Sequence, residues 1–236
     1  MRGTMENEFL IRYRYDFGEG PAKVFDVKLD RATLRFVSPP RKEPLLWTLL
    51  TVNQCGNCPL DTKAHTYCPV ALNFADIAEH FSDVISHQKV RVVVTVEERM
   101  YARDTVIQQG LTPLLGIIMT TSGCPVMEPL KPMVRFHLPF ASLTETVFRM
   151  VSMYLVAQHL RRKEGKPADA GLDGLAKIYS EVNVVNRDFA KRLREAAKKD
   201  ANVNALVGLD CLATMVPLAA EDTLKEIAPY FEAYLR

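Results

Sequence analysis

Apolar and polar residues alternate along the first part of the chain. In FLIRYRYDF, residues 9–17, every second side chain is aromatic or aliphatic, which predicts a strand with one face on a core and one face towards water. KVFDVKLD, residues 23–30, repeats this alternation after the turn-like sequence GEGPA. The short run TLRFV, residues 33–37, completes a predicted antiparallel β-meander, and KVRVVVTV, residues 89–96, adds a further strand.

Apolar side chains spaced three and four residues apart replace this alternation further along the chain. Such spacing predicts helices at residues 69–81, 113–122, 142–162, 172–199, 202–216 and 221–235. Ser142 or Thr144 can cap the third of these helices. The last two helices are expected to be separate because Pro217 lies between them and proline breaks a helix interior.

The order of these elements predicts an α+β fold. It consists of an N-terminal antiparallel β-meander, a cysteine-bearing middle segment and a C-terminal helical half. We expect residues 1–139 to form a β-sheet domain that carries the cysteines. Residues 140–236 form a helical region that packs on this domain as one unit.

Composition and charge narrow the class of protein. The 236 residues are 48% hydrophobic, which is enough to bury a core without disulfides, and the net charge is only +2. Residues 161–199 carry eleven Lys and Arg against six acids, but the two signs interleave at helical spacing, which is typical of a solvated helix face. A surface for phosphate or an acidic partner is the alternative, and the sequence gives no support for nucleic-acid binding.

Two features of the sequence bear on its location. The N-terminal stretch has no apolar signal-peptide core, and the apolar run GLTPLLGIIM, residues 110–119, is too short to span a bilayer. We therefore expect a cytoplasmic protein that does not enter a membrane. The sequence does not indicate its oligomeric state.

Four of the five cysteines lie in two short stretches. QCGNCPLDTKAHTYCPVALN, residues 54–73, holds Cys55, Cys58 and Cys68, and TSGCPVMEP, residues 121–129, holds Cys124. Three of these cysteines precede a proline, which disfavours helical geometry and predicts loops or element ends. Cys68 should cap a helix that begins at Pro69.

Three chemistries fit this cysteine pattern. The first is an iron–sulfur cluster held by Cys55, Cys58, Cys68 and Cys124. The second is zinc, bound by the same four cysteines or by a local set in which His65 replaces Cys124. The third is metal-free thiol chemistry at CGNC, which has the Cys-x-x-Cys spacing of redox proteins.

Several short segments also carry a resemblance. WTLL, QCGNCPL, YCP, SGCP, HLPF and ETVFR together resemble an uncharacterised family of soluble bacterial proteins with a short β-meander followed by helices. The resemblance covers nearly the whole chain and implies a bacterial cytoplasmic protein without implying an activity. SGCPVMEP is in addition similar to the Gly-Cys-Pro segments of iron–sulfur subunits in hydrogenases and respiratory complexes.

The sequence thus predicts a metal-centre protein, with an iron–sulfur cluster in a redox or sensing role and a protein partner or electron donor. The alternatives are a structural zinc-binding interaction module without catalysis and a metal-free dithiol redox protein. His137, Glu145 and Arg149 form a weaker candidate set for acid–base or anion-binding work, and Cys211 is expected to be buried outside the site. Phosphate-loop and common hydrolase motifs are absent from the sequence.

Overall fold

The computed structural model describes residues 7–37, 43, 45–169, 171–196 and 198–236. Within these ranges the N-terminal part forms a four-stranded antiparallel sheet with the order β2-β1-β3-β4. The strands are β1 (Glu8–Asp16), β2 (Lys23–Asp30), β3 (Lys89–Val96) and β4 (Arg99–Val106). The second half is helical, so the predicted α+β class is confirmed.

The described chain also forms seven α-helices, of which the second contacts β3 and β4. They are α1 (Pro69–His80), α2 (Ile107–Thr121), α3 (Lys131–Arg135), α4 (Leu143–Lys163), α5 (Asp173–Ala196), α6 (Ala201–Ile227) and α7 (Glu232–Leu235). The inward side chains of β1 are fully buried, as the alternation predicts. Buried apolar side chains form one continuous cluster from β1 to α6.

Two predictions for the strands are wrong. TLRFV makes only an isolated bridge between Leu29 and Phe36, because Asp30 accepts from the backbone and hydroxyl of Thr33 and turns the chain there. The second difference is strand β4, which the alternation of apolar and polar residues does not predict. Most of its side chains are exposed at the sheet edge, so the strand lacks the apolar alternation by which the others are recognised.

Two predictions for the helices are also wrong, and both concern proline. α2 begins at Ile107 and contains Pro113, and α6 runs without a break through Pro217. A proline inside a helix costs about 3 kcal/mol. Ala213, Val216 and Ala220, on the same stretch of α6, are buried, and we attribute the continuity of α6 to this packing.

The C-terminal segment bears on the predicted location. Residues 201–235 form a helical stretch that is long and apolar enough to cross a membrane by length and composition alone. Its most apolar window is 33% buried inside the protein, and core helices of soluble proteins meet the same criteria. The segment is weak evidence for a membrane span, and the structure is compatible with a soluble protein.

Candidate metal centre

The first cysteine stretch lies in a loop whose two ends are held together. Leu49 and Tyr67 form a bridge at its base. Next to it, the N–H of Leu50 donates to Thr66 O at 2.9 Å and the N–H of Cys68 donates to Thr48 O at 2.8 Å. This closure brings the tip of the loop back towards the start of α1.

The loop tip is fixed by a turn and by contacts with α5. The N–H of Cys58 donates to Cys55 O at 3.0 Å. Between them, the N–H of Gly56 donates to Asp188 Oδ2 at 2.8 Å, and the Asn57 amide donates to Glu181 Oε2 at 2.6 Å. Helix α5 therefore positions the Cys-x-x-Cys pair from outside the loop.

Cys68 occupies the position that its proline predicts. It is the N-cap of α1 in extended geometry, and Pro69 is the first helical residue. The backbone N–H groups of Val70 and Ala71, in the first turn of α1, lie close enough to the Cys68 sulfur to lower the pKa of its thiol, although none meets the geometry of a capping hydrogen bond.

Cys124 reaches the same region from a different part of the chain. It follows α2 after Gly123, whose φ of +91° is one that L residues rarely adopt. The N–H of Met127 donates to Cys124 O at 3.1 Å and closes a turn there. The glycine thus lets the chain reverse at the end of α2.

All four cysteines line one small, mostly apolar cavity. The volume of this cavity is about 20 Å³, which is enough for roughly one water molecule. Apart from the cysteines its walls are formed by Leu50, Leu60, Pro69, Val70, Val126, Val185, Phe189 and Arg192. Two chain segments more than fifty residues apart therefore bring their cysteines to a common point.

Burial dominates the electrostatics of these thiols. It raises the pKa of Cys55 to about 12, and the neighbouring Cys68 and Cys124 add to the rise. Burial also raises the pKa values of Cys68 and Cys124. The backbone N–H groups that follow each of these two cysteines act in the opposite direction. These three thiols are therefore protonated at neutral pH unless a cation binds them.

Arg192 brings a positive charge to this cavity. The residue is 1% exposed, and its guanidinium donates to the backbone carbonyls of Trp47 at 2.9 Å and Leu50 at 3.3 Å, and to that of Leu49. Within the described residues its Nε has no hydrogen-bond partner, and no carboxylate pairs with it. Burying a cation without an opposite charge is costly, so an anion bound nearby would stabilise Arg192.

Sequence reasoning missed Arg192 and assigned it to a solvated basic face. The signal that identifies it is its place on α5, where it follows the buried residues Val185 and Phe189 at helical spacing and precedes the buried Leu193. A charged residue on the apolar stripe of a helix is costly unless it has a partner, and that cost marks it as functional or structural.

His65 and Cys211 lie elsewhere. His65 is exposed and faces a neighbouring groove beside Arg35 and Gly123, so the cavity is lined by Cys124 and not by the alternative fourth ligand. Cys211 is exposed on α6, which corrects the prediction that it is buried. Among the described residues, no three His, Cys, Asp or Glu side chains are close enough as they stand to hold one ion.

The weaker candidate set has other roles. Ser142 and Glu145 form a capping box at the start of α4, so Ser142 is the cap. The Tyr13 hydroxyl lies 2.7 Å from His137 Nε2. Arg149 donates to Met133 O at 3.1 Å and to Phe136 O, and it forms no ion pair with Glu145 among the described contacts.

Comparison with known protein families gives a match over residues 11–232. No curated protein and no solved structure matches the chain. The matched segment, residues 11–232, covers most of the chain, which confirms the predicted membership of an uncharacterised family without testing the cysteine pattern. The chain belongs to the family described as Domain of unknown function (DUF6901).

Proposed function

We propose that Cys55, Cys58, Cys68 and Cys124 hold an iron–sulfur cluster that serves electron transfer or sensing in the bacterial cytoplasm. The observation that carries this proposal is the meeting of four cysteines from two segments in one apolar cavity. A reducing compartment keeps such cysteines free to bind a metal and prevents them from pairing as disulfides.

The chemistry of the site fits an anionic centre. Four thiolates are a complete ligand set for a cluster, and the buried Arg192 offers the positive charge that offsets them. The backbone N–H groups of Val70 and Ala71 stabilise negative charge on Cys68, and those of Val126 and Met127 do so on Cys124. Hydrogen bonds and charges near the sulfurs also tune the potential of such centres.

A bound cluster supplies one-electron chemistry, taking an electron from a donor and passing it to an acceptor. The residues of this chain hold it and exclude water with the side chains of Val185 and Phe189. The exposed Gly56 at the loop tip lies between two of the ligands. We propose this tip as the point at which a protein partner approaches.

Structural zinc is the second candidate, and the size of the cavity favours it. A space of about 20 Å³ holds one ion more readily than a cluster, and a cluster requires the cavity walls to move outward. Zinc requires the opposite movement, since a tetrahedron with Zn–S bonds of about 2.3 Å places its sulfurs about 3.8 Å apart. As they stand, the cysteines of the described chain do not form a group that could hold a metal ion.

Metal-free dithiol chemistry has less support. A reactive cysteine needs a lowered pKa, so that the thiolate is present at neutral pH. Burial instead raises the pKa of Cys55 to about 12. We therefore keep metal-free dithiol chemistry only as the interpretation that would follow if metal analysis found no metal in the protein.

Single substitutions test which residues hold the metal. In anaerobically purified protein, Cys124→Ser should lose most of the iron and sulfide, because no other cysteine lines the cavity to replace it. Cys211→Ser is the matched control, since Cys211 is exposed on α6, and it should retain the wild-type content. His65→Ala should also retain the metal.

The outcomes separate the candidates. Zinc at one ion per chain, lost in Cys124→Ser, would replace the cluster with a four-cysteine zinc site. Zinc lost in His65→Ala and kept in Cys124→Ser would support the local set. Full metal content in Cys124→Ser would contradict the proposal.

A further inference from the structure

A second cavity lies between the helices, apart from the cysteines. It has a volume of about 170 Å³ and is lined by α2, α4, α5, α6 and the segment 127–138. An apolar cavity of about 150 Å³ in another protein is large enough to bind benzene. The half-buried residues Leu209 and Leu212 form part of its lining, so this wall of the cavity lies near the surface of the protein.

The walls are apolar, but several polar groups converge on them. Leucine, methionine, valine and isoleucine make up most of the lining, together with His137, Arg149, Tyr179 and Asn186. Asn186 is 2% exposed, and its Oδ1 has no hydrogen-bond partner among the described residues. An unpartnered buried acceptor is costly, and a ligand with a donor group would remove that cost.

Arg149 supplies one positive charge. Its Nη2 donates to Met133 O and Phe136 O, while Nε and Nη1 have no acceptor among the described residues. Its neighbour Glu145 instead accepts from the backbone of Ser142 at 2.7 Å. Among the described residues Nε and Nη1 therefore remain able to donate to an anion. Because Nη2, which takes part in both paired-donor edges of a guanidinium, is already bonded, a carboxylate accepts a single charge-assisted hydrogen bond from Arg149.

The remaining polar groups add no charge. Burial lowers the pKa of His137 to about 3, so this imidazole is neutral at physiological pH. Tyr179 is buried, and its burial raises its pKa, so its hydroxyl stays protonated beside Arg149. No acidic side chain of the described chain lines the cavity. The side chains that line the cavity thus carry a net charge of +1, on Arg149, while Glu145 acts on this charge from outside the lining. A single positive charge in the lining matches a monoanion.

We infer that this cavity binds a small carboxylate with an apolar body, whose carboxylate meets Arg149 and whose hydroxyl or amino group donates to Asn186. The size of the cavity limits the body to about one six-membered ring. The occupant is a metabolite-sized acid and not a nucleotide or a lipid. This inference does not depend on the metal centre.

Titration calorimetry on the full-length protein tests this inference with benzoate and benzamide. These probes have nearly the same shape and differ in charge. We expect benzoate to bind at least about tenfold more tightly than benzamide, and one hydroxybenzoate isomer to bind more tightly than benzoate. No benzoate binding, or equal affinity for benzoate and benzamide, would overturn the assignment. If no hydroxybenzoate isomer binds more tightly than benzoate, the role of Asn186 as acceptor is overturned.

Two variants locate the binding. Arg149→Gln should lower the affinity for benzoate about 10- to 100-fold and leave the affinity for benzamide unchanged. Ala213→Leu fills part of the cavity and should lower the affinity for both ligands. Met215→Leu, at an exposed position of the same helix, should change neither affinity. Thermal melts confirm that each variant is folded. If Arg149→Gln does not fold, the comparison of benzoate with benzamide on the wild type and on Ala213→Leu decides the question.

Discussion

At the scale of single residues, local sterics position Cys68, whereas contacts with distant backbone carbonyls position Arg192. A residue before proline avoids helical geometry for local steric reasons, so the cap at Cys68 follows from sequence alone. Arg192 instead depends on three carbonyls that lie more than 140 residues away along the chain. Only the folded chain brings these groups together, and no local pattern encodes them.

Removing the Arg192 side chain should destabilise the protein. Arg192→Met leaves three backbone carbonyls without their donor, and we expect a loss of about 2–5 kcal/mol in the free energy of unfolding. Arg192→Lys should lose less, since it keeps the charge but not the forked geometry. Denaturant unfolding measures the difference. The exposed Arg194 on the same helix is the control, and a loss in Arg194→Met as large as in Arg192→Met would contradict this account.

His137 should make stability depend on pH. Its pKa in the folded protein is about 3, below the ordinary value of 6.5, because burial and Arg149 disfavour the charged form. The folded state thus binds this proton less readily than the unfolded state. The contribution of His137 is complete above about pH 6.5 and is lost as the pH falls towards 3.

The comparison with His137→Gln isolates this contribution. Glutamine keeps an acceptor for the Tyr13 hydroxyl but does not titrate, so the variant should lose less stability than the wild type between pH 6.5 and 4. Chemical unfolding at a series of pH values measures the slope. Identical slopes in His137→Gln and the wild type would show that His137 is not the group responsible.

At the scale of elements, periodicity predicted those strands and helices that have one buried face. The burial of β1 and of α5 follows the expected stripes. The edge strand β4 has almost no buried face, and the helices that continue through Pro113 and Pro217 are held by contacts with other elements. Sequence patterns report a local preference, and tertiary packing overrides it in these elements.

Replacing each of two glycines of α2 by alanine should change the stability of the protein in opposite directions, because one lies tightly against β3 and the other lies against α6. A Cβ at Gly110 would lie 2.8 Å from Val92 Cγ2, whereas one at Gly116 would lie 3.4 Å from Leu209 Cδ2. Val92 is fully buried and cannot move away. Gly110→Ala should therefore destabilise the protein by about 1–2 kcal/mol, and Gly116→Ala should be neutral or stabilise it by up to about 1 kcal/mol. Thermal denaturation of both variants checks the contrast, and a stabilised Gly110→Ala would refute the close packing.

At the scale of the whole molecule, helix α5 joins the parts that the sequence suggested as two regions. It holds the cysteine loop through Asp188, the backbone before α1 through Arg192, and α6 through its apolar face. The residues on the two sides of position 140 share one core cluster. The division into residues 1–139 and 140–236 thus has no core boundary in the described chain.

A shared core predicts a single unfolding transition. Trp47, the only tryptophan, is 9% exposed and reports on the region before α1. Far-ultraviolet circular dichroism reports mainly on the C-terminal helices. We expect tryptophan fluorescence and circular dichroism to give the same midpoint in urea, and two clearly separated midpoints would show that the two regions unfold independently.

The central claim is that the four cysteines form a metal centre of the iron–sulfur type. The most direct measurement is iron, acid-labile sulfide and zinc analysis of the wild-type protein purified without oxygen, together with its visible absorption spectrum. We predict a brown protein with iron and sulfide in equal amounts and broad visible absorption. A colourless protein, whether it contains zinc or no metal, that stays colourless after anaerobic incubation with iron and sulfide would contradict the claim.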